Sequence, residues 1–162
     1  MPTDQSLSDF VASVAATDLP PSGGSVAAHA AALSAQLSRL VAGITIGRKR
    51  YASVDAEMRA LAHRTAELVR MLSALVDRDA AACVAMRAAV KMAQGTGQDA
   101  TMRAHAISTA MVDATEVPME IARLSVEACQ LAATAAEKGN RKALAESAVA
   151  ALLAEASCRG AA

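Results

Sequence analysis

Alanine carries most of the apolar content of this chain, and that decides what it can fold into. The chain is 54% hydrophobic, yet it has one Phe, one Tyr and no Trp. Alanine is the strongest helix former and too small to fill the space between packed sheets. The expected fold is therefore all-α, a bundle of long, Ala-rich antiparallel helices around a central one. Helices faced with alanine must approach closely, and each buries little area per residue. A thin core of this kind points to a second subunit, so a homodimer is expected. The 162 residues suit a single domain spanning 1–162.

Charge narrows the function classes. Sixteen basic residues balance sixteen acidic ones, which gives no footprint for nucleic acid or an acidic membrane. No uninterrupted apolar run reaches about 18 residues, and MPTDQSLSDF lacks the basic and apolar regions of a signal peptide. A cytoplasmic protein off the membrane is expected. Cys83, Cys129 and Cys158 are scattered and lack CxxC spacing, which reads as free thiols in a reducing compartment. His29, His63 and His105 fall at no metal-ligand spacing, so no metal is expected.

Along the chain, Ser6 and Asp9 form an acidic capping box ahead of a short helix over 6–16, with Phe10 and Val14 on one face. Pro20-Pro21-Ser22-Gly23-Gly24-Ser25 is a turn feeding the central helix, with Ser25 as its N-cap. From there Val26, Ala30, Leu33, Leu37, Leu40 and Ile44 recur at spacings of 4, 3, 4, 3, 4, an unbroken helical stripe. Gly47 ends or bends this helix. A second seam runs through Val54, Met58, Leu61, Thr65, Leu68, Leu72 and Leu75 and continues to Asp79, Ala82 or Cys83, Met86 and Val90. After the break at Gly95-Thr96-Gly97, Asp99 caps a third long helix, which Pro118 ends or kinks. Gly139 stops the following stretch, and a last helix covers about 142–158.

Three features carry candidate chemistry. The Gly23-Gly24-Ser25 helix start is either a plain capped turn or a seat for an anion or an electron-rich heterocycle. Ser25 has no His/Asp partner pattern, so capping is preferred over nucleophilic attack. Asp77 and Asp79, two apart on a helix, do not face the same way. Asp79 lies on the apolar seam, whereas Asp77 is in register with Arg70 and Ser73. The choice is between a surface acid plus a buried acid paired with a base, and a desolvated carboxylate that moves a proton. Arg48-Lys49-Arg50 is either a solvated helix end or a clamp for an anionic tail. Beside it, Tyr51 packs as a structural residue or against an aromatic ring. His29, one turn after Ser25, is placed to look into the same cleft.

The stretch PPSGGSVAAHAAALSAQLSRLVAGITIGRKRY resembles the signature of the formiminotransferase-cyclodeaminase family: P-G-G-G-S-V-A-A, a small-residue helix, then T-I-G-K-K-K-Y. The resemblance continues through Leu75-Val76-Asp77-Arg78-Asp79-Ala80, Glu116-Val117-Pro118-Met119-Glu120-Ile121-Ala122, Ala136-Glu137-Lys138-Gly139-Asn140 and Ala148 to Ala156. It implies an enzyme of tetrahydrofolate one-carbon metabolism, acting on a folate without a further cofactor. The activity it implies is a cyclodeaminase that forms 5,10-methenyltetrahydrofolate and ammonia. The alternatives are a methenyltetrahydrofolate cyclohydrolase on the same scaffold, or a non-catalytic helical dimer derived from it. It further implies a dimer with substrate sites near the subunit interface. Catalysis falls to Asp79 or Asp77, with Asp79 favoured. Substrate binding falls to Gly23, Gly24, Ser25, Arg48, Lys49, Arg50, Asn140 and Glu146. Ser22, Ala145, Glu146 and Ala148 depart from the family's Gly, Ser, Asp and Gly, and Ala93-Gln94 from a Pro-Lys pair. The family's segment beyond Arg159-Gly160-Ala161-Ala162 is expected to be missing.

Overall fold

The computed structural model describes residues 2–17 and 21–162, so the Pro20 half of the expected turn lies outside the described residues. Five α-helices follow one another: α1 Leu7–Ser13, α2 Gly23–Thr45, α3 Asp55–Lys91, α4 Gln98–Lys138 and α5 Leu144–Ala161. Short 3-10 turns, Pro2–Asp4, Lys49–Val54 and Arg141–Ala143, precede α1, α3 and α5. No strand occurs among the described residues. α2 packs against α3, α4 and α5 and is the central helix. Ion pairs Lys138–Glu57, Arg64–Glu127 and Arg78–Glu120 run α3 and α4 antiparallel. Ser157 at the end of α5 donates to the Ala27 carbonyl near the start of α2, at 2.6 Å, so α5 also opposes α2. The result is an up-down-up-down four-helix bundle, α2 to α5, with α1 laid across it.

The α2 stripe has the expected period, but most of the buried face is made of small residues. Ala28, Ala31, Ala35 and Ala42, with Ser25, Ser34 and Ser38, are among the buried positions. Val26, Leu33 and Leu40 are 38%, 47% and 50% exposed. Three helices crowd around α2, and only a face of small residues lets their backbones come near enough. The large residues are displaced to the remaining side. The volume missing from α2 is supplied by Leu68, Leu72, Leu75 and Val76 of α3 and by Val117 and Ile121 of α4. Each contributes about 1.5–3 kcal/mol on burial. A second cluster at the other end joins Val41, Met58, Leu61 and Ala135.

The α3 seam is buried from Met58 to Asp79 as expected, but Val90 is 52% exposed. Asp79 sits level with the first turn of α2, so beyond it α3 has run past its central neighbour. Four local expectations also change. Ser22, not Ser25, is the N-cap of α2. Asp99 lies inside the first turn of α4, after a Gly97 N-cap at φ 62°. Val14 is 43% exposed, because α1 ends at Ser13. Pro118 neither ends nor splits α4, which runs through it unbroken. Gly139 ends α4 as expected, but at φ −75°, ψ −175°. It is needed for space rather than for left-handed backbone, since a Cβ there would lie 2.6 Å from Val41 Cγ1.

Candidate functional site

Asp79 is the centre of the site. It is 8% exposed and faces the N-terminus of α2. Ser22 Oγ donates to its Oδ2 at 2.5 Å, and Ser25 Oγ donates to the same oxygen at 2.7 Å. Ser25 is fully buried, and the Val76 carbonyl lies 3.3 Å from its hydroxyl. As N-cap, Ser22 would normally accept from the first amides of the helix. Its side chain makes no such bond; the hydroxyl is spent on Asp79 instead. Gly24 makes the approach possible: a Cβ on it would overlap Asp79 Oδ1 and lie 2.7 Å from Cγ. Gly23 has nothing within 4 Å of the same hypothetical atom. The second glycine of the pair is thus the one demanded by geometry.

The pairing of Asp79 with a basic residue, weighed from the sequence, does not occur among the described residues. Its negative charge is met by two hydroxyls and by the positive end of the α2 dipole. A carboxylate held this way is fixed in direction yet has no basic side chain among the described residues paired with it. It forms part of the wall of a cleft of about 500 Å³, which Ser22, Gly24, Thr115, Pro118 and Met119 also line. The last turn of α5 closes one side through Gly160, Ala161 and Ala162. A carboxylate in such a cleft can take a proton from a bound group and return it to another.

Asp77 points elsewhere. Its two carboxylate oxygens accept from the Thr3 amide at 3.3 Å and the Thr3 hydroxyl at 2.6 Å, which ties the N-terminal turn to α3. His29 also turns away from this cleft and stacks on Phe10, with ring centroids 4.9 Å apart.

The remaining candidates gather at the opposite end of the bundle. Gly24 and Thr45 are separated by 21 helical residues, about 30 Å at 1.5 Å per residue. There Arg48, Arg50, Tyr51, Asn140, Arg141 and Lys142 line a cavity of about 300 Å³. Asn140 stitches the α4–α5 connection to α2. Its amide donates to Thr45 Oγ1 at 2.9 Å and its Oδ1 accepts from the Lys142 amide at 3.1 Å. Tyr51 accepts from the Arg141 amide at 3.1 Å, and the Arg50 guanidinium stands 5.9 Å from its ring centroid. No carboxylate among the described residues forms a salt bridge with Arg48, Lys49, Arg50, Arg141 or Lys142. Glu146, in the first turn of α5, is not in the cavity wall, and its Oε2 is buried without a partner. Among the described residues no group of three or more His, Cys, Asp or Glu is arranged to hold a metal. Among the described residues no helix is long and apolar enough to cross a membrane.

Of the residues singled out from the sequence, the structure brings Asp79, Gly24 and Ser25 together. The sequence does not mark Pro118, Thr115 and Met119 as cleft residues, and it marks Ser22 only as a departure from glycine. A hydroxyl immediately before Gly-Gly was the signal available for Ser22.

A family model described as formiminotransferase-cyclodeaminase matches residues 6–162. The methenyltetrahydrofolate cyclohydrolase of Methylorubrum extorquens is 32% identical over 162 residues, 100% of this chain and 78% of that protein. The formimidoyltransferase-cyclodeaminase of Mus musculus is 38% identical over 119 residues, 74% of this chain and 22% of that protein. A crystal structure of formiminotetrahydrofolate cyclodeaminase from Thermotoga maritima superposes with a TM-score of 0.85 at 25% identity, covering 97% of this chain and 74% of that one.

Proposed function

The chain belongs to the formiminotransferase-cyclodeaminase family, and we propose that it is a folate one-carbon enzyme that hydrolyses 5,10-methenyltetrahydrofolate, with Asp79 as the proton carrier. The observation that carries this reading is the Asp79 carboxylate, locked by Ser22 and Ser25 in the wall of a 500 Å³ cleft without a counter-cation. Similarity along the whole chain to a protein named methenyltetrahydrofolate cyclohydrolase favours hydrolysis.

Water attacks the methenyl carbon and gives one proton to Asp79 as the C–O bond forms. The ring C–N bond then breaks, and Asp79 returns that proton to the departing nitrogen. The second water proton leaves to solvent as the formyl C=O forms. The two serine hydroxyls keep Oδ2 in place through both transfers, and no change of oxidation state occurs.

A second reading is supported by the fold similarity to a formiminotetrahydrofolate cyclodeaminase. There N10 of the folate attacks the formimidoyl carbon. Asp79 takes the N10 proton and passes it to the amine, which leaves as ammonia.

A homodimer completes either reading. The stripe of exposed Val26, Leu33 and Leu40 with half-buried Leu37 is centred on α2 and has coiled-coil spacing. A second copy related by a twofold axis through its middle lays its own α2 antiparallel along this stripe. That brings the partner's basic cavity towards the first copy's Asp79 cleft. The anionic glutamate tail of the folate then reaches cations that lie about 30 Å away within one chain.

The test is near-ultraviolet absorbance of the methenyl band, with 5,10-methenyl- and 5-formimidoyltetrahydrofolate supplied separately. Accelerated loss of the band from the first supports hydrolysis. Appearance of the band from the second supports the cyclodeaminase reading. No change from either, with the protein folded, removes both.

A further inference from the structure

Pro118 lies within α4, which continues unbroken on both sides of it. Proline has no N–H, so the Ala114 carbonyl four residues earlier lacks the donor that an ordinary helix supplies, and the ring crowds that carbonyl outward. Ala114 and Pro118 both line the Asp79 cleft. The nearby Thr115 hydroxyl does not compensate, because it donates to the Met111 carbonyl at 2.8 Å. The Arg78–Glu120 ion pair, 2.7 Å long, ties α4 to α3 at this level. The fixed Asp79 carboxylate and, on the neighbouring helix, Ala114 and Pro118 thus line one cleft, and at Ala114 the carbonyl has lost its usual i+4 helical donor.

We infer that the Ala114 carbonyl is the second acceptor of the site and orients the small reacting molecule for Asp79. In hydrolysis that molecule is water. One O–H points to Asp79 and the other to Ala114, leaving an oxygen lone pair for the methenyl carbon. Asp79 takes the first proton as the C–O bond forms, while the second stays hydrogen-bonded to the Ala114 carbonyl until it leaves to solvent as the formyl C=O forms. In cyclodeamination the same pair of acceptors holds two N–H bonds of the departing amine. This inference rests on the proposed folate reading.

Pro118→Ala tests it by restoring an N–H that closes the helical ladder on Ala114. The expected result is a rise in Tm of several degrees together with a fall in kcat/KM of about tenfold, almost all in kcat. Met119→Ala trims the same wall without adding a donor and is expected to change KM alone. A higher Tm for Pro118→Ala with unchanged kcat overturns the inference. An unchanged Tm also overturns it, because the carbonyl then already has a partner. Wild-type protein that turns over neither folate fails the functional reading itself, a result distinct from either of these.

Discussion

Replacing Gly24 with alanine adds one methyl group where the Asp79 carboxyl now lies. The new Cβ would sit 2.7 Å from Asp79 Cγ and 3.1 Å from Oδ2, and would overlap Oδ1. Neither side chain has a flexible far end that could give way, so the carboxyl must rotate off its hydroxyl partners. Hydrogen bonds to a charged group are worth about 1.5–3 kcal/mol each, and two are at risk. Alanine gains about 1 kcal/mol over glycine in a helix. If the carboxyl keeps one of its two partners or finds water, the net loss is about 0.5–2 kcal/mol. That corresponds to a drop of roughly 1–8 °C in Tm for a chain of this size. Turnover suffers more, because a misplaced proton carrier costs about 10²–10⁴-fold. The assay pairs thermal denaturation with turnover of methenyltetrahydrofolate. Gly23→Ala is the control: its added methyl meets nothing within 4 Å, so it is expected to hold or raise Tm and to affect turnover far less. Wild-type turnover in Gly24→Ala, or equal damage in both variants, would refute the close-approach argument.

Three further outcomes are expected. Leu33→Asp places a charge in the middle of the exposed α2 stripe. Light scattering should then report a monomer for the variant and a dimer for wild type, with turnover lost in the variant; a fully active wild-type monomer contradicts the composite site. Gly139→Ala forces Val41 and the Ala135 carbonyl apart and should destabilise by about 1–3 kcal/mol in denaturant titration without changing KM. On the acid side, the Gly47 amide and then Arg59 hold the Asp55 carboxyl below its usual range, and Arg64 does the same for Glu67. Their folded-state values lie below the unfolded ones, so their stabilisation is present at neutral pH and is lost as pH falls below about 4. Asp55→Asn should flatten part of that acid slope in Tm; an unchanged slope contradicts it.

The helices were legible because alanine and the 4-3 periodicity act locally. What failed was the sense of direction. On α2 the stripe of large apolar residues gives the period but not the buried face, because a helix with three close neighbours buries its smallest residues. Proline ends or kinks isolated helices; here α4, packed on α3 and α5, continues through Pro118. Asp79 was recoverable because it sits in register with Leu68, Leu72 and Leu75. The division of the candidate site into two ends was recoverable too, since 21 residues of helix cannot bring Gly24 beside Arg48. The donors to Asp79 were harder to see. Ser22 and Ser25 flank the same two glycines, and sequence alone does not tell which of them caps the helix.

The most direct measurement is the turnover of 5,10-methenyl- and 5-formimidoyltetrahydrofolate by Asp79→Asn beside Asp77→Asn and wild type. Asparagine keeps the shape of the Asp79 side chain and can still accept from a serine, but it cannot carry the proton. The account predicts folded protein with turnover reduced by about 10²–10⁴-fold for Asp79→Asn. Asp77→Asn, which only loosens the Thr3 contact, should stay within a fewfold of wild type. Near-normal turnover by Asp79→Asn, or greater loss from Asp77→Asn, would contradict it.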